Sequence, residues 1–218
     1  MIRPSTILFV TAVAISAVFA IVAAARDDRP GFTFFKPVTT LIILLGAAWL
    51  VQPGSQPYRG LIVLGLILSL AGDMLLTLPA NRFVAGLAAF LLAHVAYIAA
   101  FSVGHPLTAR EFVWLPPCLA FGAALAAAVW SGLGKLRVPV LAYAATICVM
   151  AWRAATRAHT PGVTQAGFLL GLTGACLFVL SDAILAVRRF RHPFRAAHTL
   201  ELAAYWAAQV LIALSVRI

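Results

Sequence analysis

Apolar residues run along this chain in eight long stretches, at roughly 5–25, 36–51, 60–78, 83–103, 112–130, 137–154, 167–187 and 196–216. About 20 residues at 1.5 Å rise cross the ~30 Å hydrocarbon core of a bilayer as a helix. The pattern therefore predicts an all-α membrane protein of eight transmembrane helices, the second being the shortest. Short polar breaks separate them: Arg26–Gly31, Gln52–Pro57 and Leu78–Arg82 in the first half. Lys36-Pro37 is expected to open the second helix, where a proline is sterically ordinary. The run Thr6–Ala25 ends in Ala23-Ala24-Ala25, a small-residue triplet like a leader cleavage site. It is longer than the apolar core of a leader, so a retained first helix is expected.

Polar residues inside the apolar runs are few, and they recur. The third run carries Asp73 and the fourth His94, with Phe90 four residues before the imidazole. The seventh run carries Asp182 and the eighth Gln209, with Tyr205 four residues before the amide. Aligning Asp73 with Asp182 also brings Gly65 onto Gly174. Four crossings return a chain to its starting side. The layout thus predicts one transmembrane domain, residues 1–218, made of two parallel pseudo-repeats at about 1–103 and 112–218 around a central cavity. Both acids are expected near the ends of their helices, at similar depth. Small residues beside each (Gly65, Ser69 and Gly72; Gly167, Gly171 and Gly174) are expected to admit a neighbouring helix, so the acids point into the bundle. The sixth run, with Tyr143 and Arg153, is poorer in chemistry, and Arg153 is expected to snorkel to a membrane face.

Composition agrees with a membrane protein. The chain of 218 residues is 63% hydrophobic and 10% charged, with mean hydropathy +1.02. The formal net charge of +10 lies mostly in the predicted turns. Arg3, Arg59, Arg110, Arg153, Arg157 and Arg217 fall on the side of the termini. Arg26, Arg29, Lys36, Arg82, Lys135, Arg137, Arg188, Arg189, Arg191 and Arg195 fall on the other. The positive-inside rule then places both termini in the periplasm of a bacterial inner membrane. Basic clusters of this kind meet anionic lipid headgroups, and no nucleic-acid partner is expected. Cys118, Cys148 and Cys176 lie inside apolar runs without a CxxC spacing and read as small core residues.

A carboxyl group in hydrocarbon costs at least about 2.5–3.5 kcal/mol, so an intramembrane acid is a functional candidate. Two of them in one apolar cavity do not both ionise cheaply. One is then expected to hold a proton to donate while the other accepts, an arrangement suited to hydrolysis of an acid-labile lipid bond. Asp73 and Asp182 are the candidate catalytic pair. Lys36, His94, Tyr97, Tyr205 and Gln209 are candidate substrate-binding or supporting groups. Two other classes fit the same residues: a transporter with midplane acids, and a metal-dependent lipid hydrolase using Asp73, His94, Asp182 and His198.

The blocks around Lys36-Pro37, LSLAGDMLL with Asp73, FLLAHVAYIAAF with His94 and Tyr97, LFVLSDAILAVRRF with Asp182 and AYWAAQVLI with Gln209 together resemble the YhhN-like family of membrane proteins, which includes the lysoplasmalogenases. The resemblance implies an eight-helix hydrolase of the vinyl-ether bond of lysoplasmalogens, with a lysophospholipid as substrate. The products would be a fatty aldehyde and a glycerophospho-ethanolamine or -choline. It also places the catalytic roles on Asp73 and Asp182, with no metal or cofactor required.

Overall fold

A computed structural model describes residues 3–50, 55–78, 82–192 and 194–216. Among the described residues there are eight α-helices and no strand. They are α1 (Pro4–Ala25), α2 (Arg29–Leu45), α3 (Gln56–Thr77), α4 (Phe83–Ser102), α5 (Leu115–Val129), α6 (Arg137–Thr156), α7 (Gln165–Phe190) and α8 (Ala197–Leu214). All eight, with short flanking turns where needed, are long and apolar enough to cross a membrane. The expected loop residues Gln52–Gly54 and Pro79–Asn81, and Arg217 of the charge count, lie outside the described residues.

Two boundaries differ from the apolar pattern, and the first has a local cause. The second helix begins at Arg29, seven residues before Lys36, because Asp28 caps it: the Gly31 amide donates to Asp28 Oδ1 at 3.1 Å, and Pro30 occupies the first turn. Pro37 is consequently inside α2 and not at its opening, and it leaves the Thr33 carbonyl without its amide partner one turn on. The helix then continues through a π-helical turn, Gly46–Leu50; it is the early start at Arg29 that lengthens the short second run into a full span. At the other end of the chain α7 runs to Phe190. Asp73 therefore lies four residues before the end of its helix and Asp182 eight before the end of its own.

α8 is the centre of the bundle and α5 its edge: 56% of the α8 span is buried, against 6% of the α5 span. Hydrocarbon competes with hydrocarbon in a bilayer, so close packing holds such helices together more than the hydrophobic effect does. The small-residue faces supply that packing. A Cβ at Gly65 would overlap the Tyr97 ring, which lets α4 lie against α3. One at Gly174 would come within 2.7 Å of Ile212 and 3.0 Å of the Ala208 carbonyl, which seats α7 on α8. Arg153 does not snorkel. It is 3% exposed, and its guanidinium donates to Ser102 Oγ at 2.9 Å and to the His105 carbonyl at 3.0 Å. It thereby ties down the α4–α5 connection, where His105 and Glu111 also pair at 2.8 Å. A buried guanidinium needs several acceptors; here it finds two, and Nη1 has none among the described residues.

Candidate active site at two intramembrane carboxylates

Asp73 is fully buried on α3, and two neighbouring helices reach it with donors. On α2, Lys36 and Thr40 stand one helical turn apart on the same face. The Thr40 hydroxyl donates to Asp73 Oδ2 at 2.5 Å, and the Lys36 ammonium lies 3.4 Å from Oδ1. From α8 the Tyr205 hydroxyl donates to the same Oδ2 at 2.8 Å. The carboxylate thus has two hydroxyl donors and one cation, all on buried residues. That is the donor set an ionised carboxylate uses, since it only accepts.

Asp182 has a sparser environment. The Tyr143 hydroxyl of α6 donates to its Oδ2 at 2.7 Å, and His94 Nε2 of α4 lies 3.6 Å from the same oxygen. The imidazole is fully buried, wedged edge-on against Phe178 at 4.7 Å and Tyr143 at 5.2 Å between ring centroids. Neither of its nitrogens has a hydrogen-bond partner among the described residues. Asp182 retains 13% side-chain exposure, which opens on a cavity of about 40 Å³ whose other walls, Tyr143 apart, are apolar, among them Leu125 and Ile147.

The two carboxylates share no hydrogen-bond or ion-pair partner among the described residues. A run of rings links their surroundings: Tyr205 against Phe178 at 5.5 Å, then Phe178 against His94 at 4.7 Å. The expected cavity with two facing acids is therefore two separate polar clusters, because the aromatic residues of α4, α7 and α8 fill the space at this level. Tyr97 and Gln209 pair with each other, the phenol donating to the amide Oε1 at 2.7 Å, while the amide nitrogen and the nearby Ser69 hydroxyl are without partners among the described residues.

Above Asp73 a polar basin of about 570 Å³ opens at the end of the bundle. Lys36 is part of its lining, with Arg29, Arg82, Arg188, Arg189 and His198. Its one acid, Glu201, accepts from Arg188 Nε at 2.7 Å. Sequence reading found the acids, Lys36, His94 and Tyr205. It passed over Thr40, whose signal was its place one turn after Lys36. It also passed over Tyr143, a lone phenol that only the fold brings to Asp182. The cysteines differ from the expectation of core residues. Cys148 is buried, Cys118 half-buried and Cys176 exposed, because α5 leaves this side of α7 uncovered. The proposed metal set does not converge: among the described residues no three of His, Cys, Asp and Glu come together in a way that could hold an ion.

Fold and site together define a polytopic helical membrane protein with two separately partnered acids inside the bilayer. The model of the YhhN family matches residues 31–216, and the chain belongs to that family. It is 32% identical over 203 residues to the uncharacterised membrane protein YhhN of Escherichia coli O157:H7, covering 92% of this chain and 94% of the relative. It is 33% identical over 190 residues to human lysoplasmalogenase TMEM86B, covering 87% and 77%. A lysoplasmalogenase of Mycobacterium bovis is 32% identical over 174 residues, covering 75% and 63%. No solved structure matches the chain.

Proposed function

We propose that this protein is an intramembrane hydrolase of lysoplasmalogens, cleaving the vinyl-ether bond with Asp73 and Asp182. Relatives named lysoplasmalogenase support the substrate class. The observation that carries the chemistry is the contrast between the acids: one wired to three donors, the other facing an apolar cavity with a single phenol donor. The reaction adds water across R–CH=CH–O–R′ to give R–CH₂–CHO and HO–R′. The Asp182 carboxyl delivers a proton to the carbon one removed from oxygen, leaving an oxocarbenium ion. For one bond to meet both acids the substrate must part the Tyr205, Phe178 and His94 rings between them; the Asp73 carboxylate then offsets the positive charge and takes a proton from the attacking water. The hemiacetal then collapses to aldehyde and glycerol hydroxyl as Asp73 returns its proton to the leaving oxygen and Asp182 recovers one from the hemiacetal hydroxyl. The basic basin takes the phosphate of the headgroup, with Lys36 between phosphate and carboxylate.

Two further features, a repeat drawn from the sequence layout and an orientation drawn from the Arg/Lys bias, belong to the same proposal. The α3/α4 and α7/α8 hairpins are equivalent elements of two pseudo-repeats, 1–103 and 112–218. The basin faces the cytoplasm of a bacterial inner membrane, with both termini periplasmic.

The test is turnover of vinyl-ether, alkyl-ether and ester lysolipids by purified Asp73→Asn, Asp182→Asn and the double variant. Each single change is expected to lower vinyl-ether turnover by roughly 10²–10⁴-fold, and the double variant to be little worse than either. A well-folded single variant with near-normal turnover would refute the two-aspartate mechanism.

A further inference from the structure

Two cavities on the α5 side of the bundle form one groove. The small one on which Asp182 opens and a larger one of about 480 Å³ share Phe121, Cys148 and Val179 in their walls. The larger cavity lies between α5, α6 and α7 and extends to Ala151 and Leu172, with almost wholly apolar walls. Leu172 is ten residues, or about 15 Å, along α7 from Asp182, which is half the ~30 Å hydrocarbon thickness and so the depth of one leaflet. The polar basin lies at the opposite end, by the α7–α8 turn. On the side of the groove, α5 exposes Phe121, and α7 exposes Leu180 and Cys176.

We infer that this groove is the hydrocarbon-tail site of a single-chain lipid substrate, which enters laterally from the bilayer between α5 and α7. The inference rests on the hydrolase reading for its substrate and adds the entry route and the tail subsite. This sets the headgroup in the basin, the reactive bond at Asp182 and one chain along the groove, with Leu185 of the basin wall next to Ala186 of the small cavity on α7. In lipid the groove gains little from the hydrophobic effect, so selection rests on fit and steric exclusion.

Cys118 and Cys176 line the groove from α5 and α7 and serve as reporters. Purified full-length protein is treated with N-ethylmaleimide with and without an alkyl-ether lysophospholipid, which has the tail and headgroup but no vinyl bond. Alkylation of both thiols is expected to slow several-fold with the lysolipid in the wild type, and much less in Ala151→Trp, whose indole blocks the groove. The KM of Ala151→Trp for an octadecenyl lysolipid is expected to rise at least about fivefold, the scale of a steric clash in a packed site. Its kcat/KM for a decenyl analogue, too short to reach residue 151, should hold. Leu172→Trp supplies the same block from α7 if the first variant does not fold. Thiols unprotected in the wild type overturn the inference whatever turnover shows. So does an unchanged chain-length profile in an active blocked variant. Protection in a wild-type protein that cleaves no lysolipid leaves the tail site standing and removes the hydrolase reading.

Discussion

Removing the Lys36 ammonium isolates what the ion pair contributes. Its nitrogen lies 3.4 Å from Asp73 Oδ1. At an effective dielectric constant of about 20, two unit charges at that separation attract by roughly 5 kcal/mol. Taking both ions out of water costs several kcal/mol each, so the pair as a whole adds little net stability. Breaking it is another matter. Lys36→Met leaves Asp73 with the Thr40 and Tyr205 hydroxyls and no cation. A stranded buried charge costs about 3–5 kcal/mol, an upper limit here because the carboxyl can take up a proton instead. Lys36→Met should therefore lower stability by at least about 1 kcal/mol, and Asp73→Asn by less. The double variant Lys36→Met/Asp73→Asn should return to within about 1 kcal/mol of wild type, giving a coupling energy within the usual range of about 0.5–3 kcal/mol. Denaturant unfolding of the four proteins in one detergent, followed by tryptophan fluorescence, measures the cycle. A coupling below about 0.5 kcal/mol would show that Lys36 is not the counter-ion of Asp73. The same Lys36 variant should raise KM for a lysophospholipid more than it lowers kcat, because phosphate binding is common to ground and transition states.

Tyr143→Phe removes the one hydroxyl that holds Asp182; kcat for a vinyl-ether lysolipid should fall roughly 10- to 100-fold with KM little changed, since a hydrogen bond to a charged or reacting group is worth about 1.5–3 kcal/mol. Steady-state kinetics decide it, and an unchanged kcat would free Asp182 from Tyr143. Gly65→Val forces a side chain into the Tyr97 ring and should cost about 1–3 kcal/mol in unfolding experiments; no loss would mean that α3 and α4 are not in such close contact. A reporter fused to the C-terminus should be active only in the periplasm, and a cytoplasmic signal would reverse the orientation given by the ten-to-six charge bias.

The number of helices was legible because eight apolar runs admit little else. The acids were legible for a related reason: an unlikely residue stands out where its neighbours are uniform. What the pattern could not carry was lateral arrangement. Lys36 reads from sequence as a helix-opening residue beside Pro37; only the Asp28 cap, about two turns further back, puts it inside α2 with Thr40 toward Asp73. Tyr143 has no local signature, since its role exists only across the α6–α7 contact. Arg153 looks from its position like a membrane-edge anchor, yet its acceptors come from residues about 50 positions earlier in the chain. Equal depth for Asp73 and Asp182 suggested a facing pair, but depth along parallel helices says nothing about what stands between them, and here it is aromatic rings.

That separation bears on how two carboxyl groups divide one reaction. A facing pair shares a proton, and its members are assigned roles only as a unit. Acids in separate clusters are fixed by their own neighbours. Lys36, Thr40 and Tyr205 all present donors to Asp73, a set that a carboxylate satisfies and a carboxylic acid does not. Asp182 receives one phenol proton, has His94 Nε2 at 3.6 Å and opens on an apolar cavity, which suits a group that must keep a proton until an apolar substrate arrives. Vinyl-ether hydrolysis needs this order: carbon is a poor base, so the acid has to be held dry and close. The cation that follows then needs a fixed negative charge nearby. With the acid beside the apolar groove and the carboxylate beneath the basic basin, each proposed step falls where the neighbouring residues favour the charge it creates.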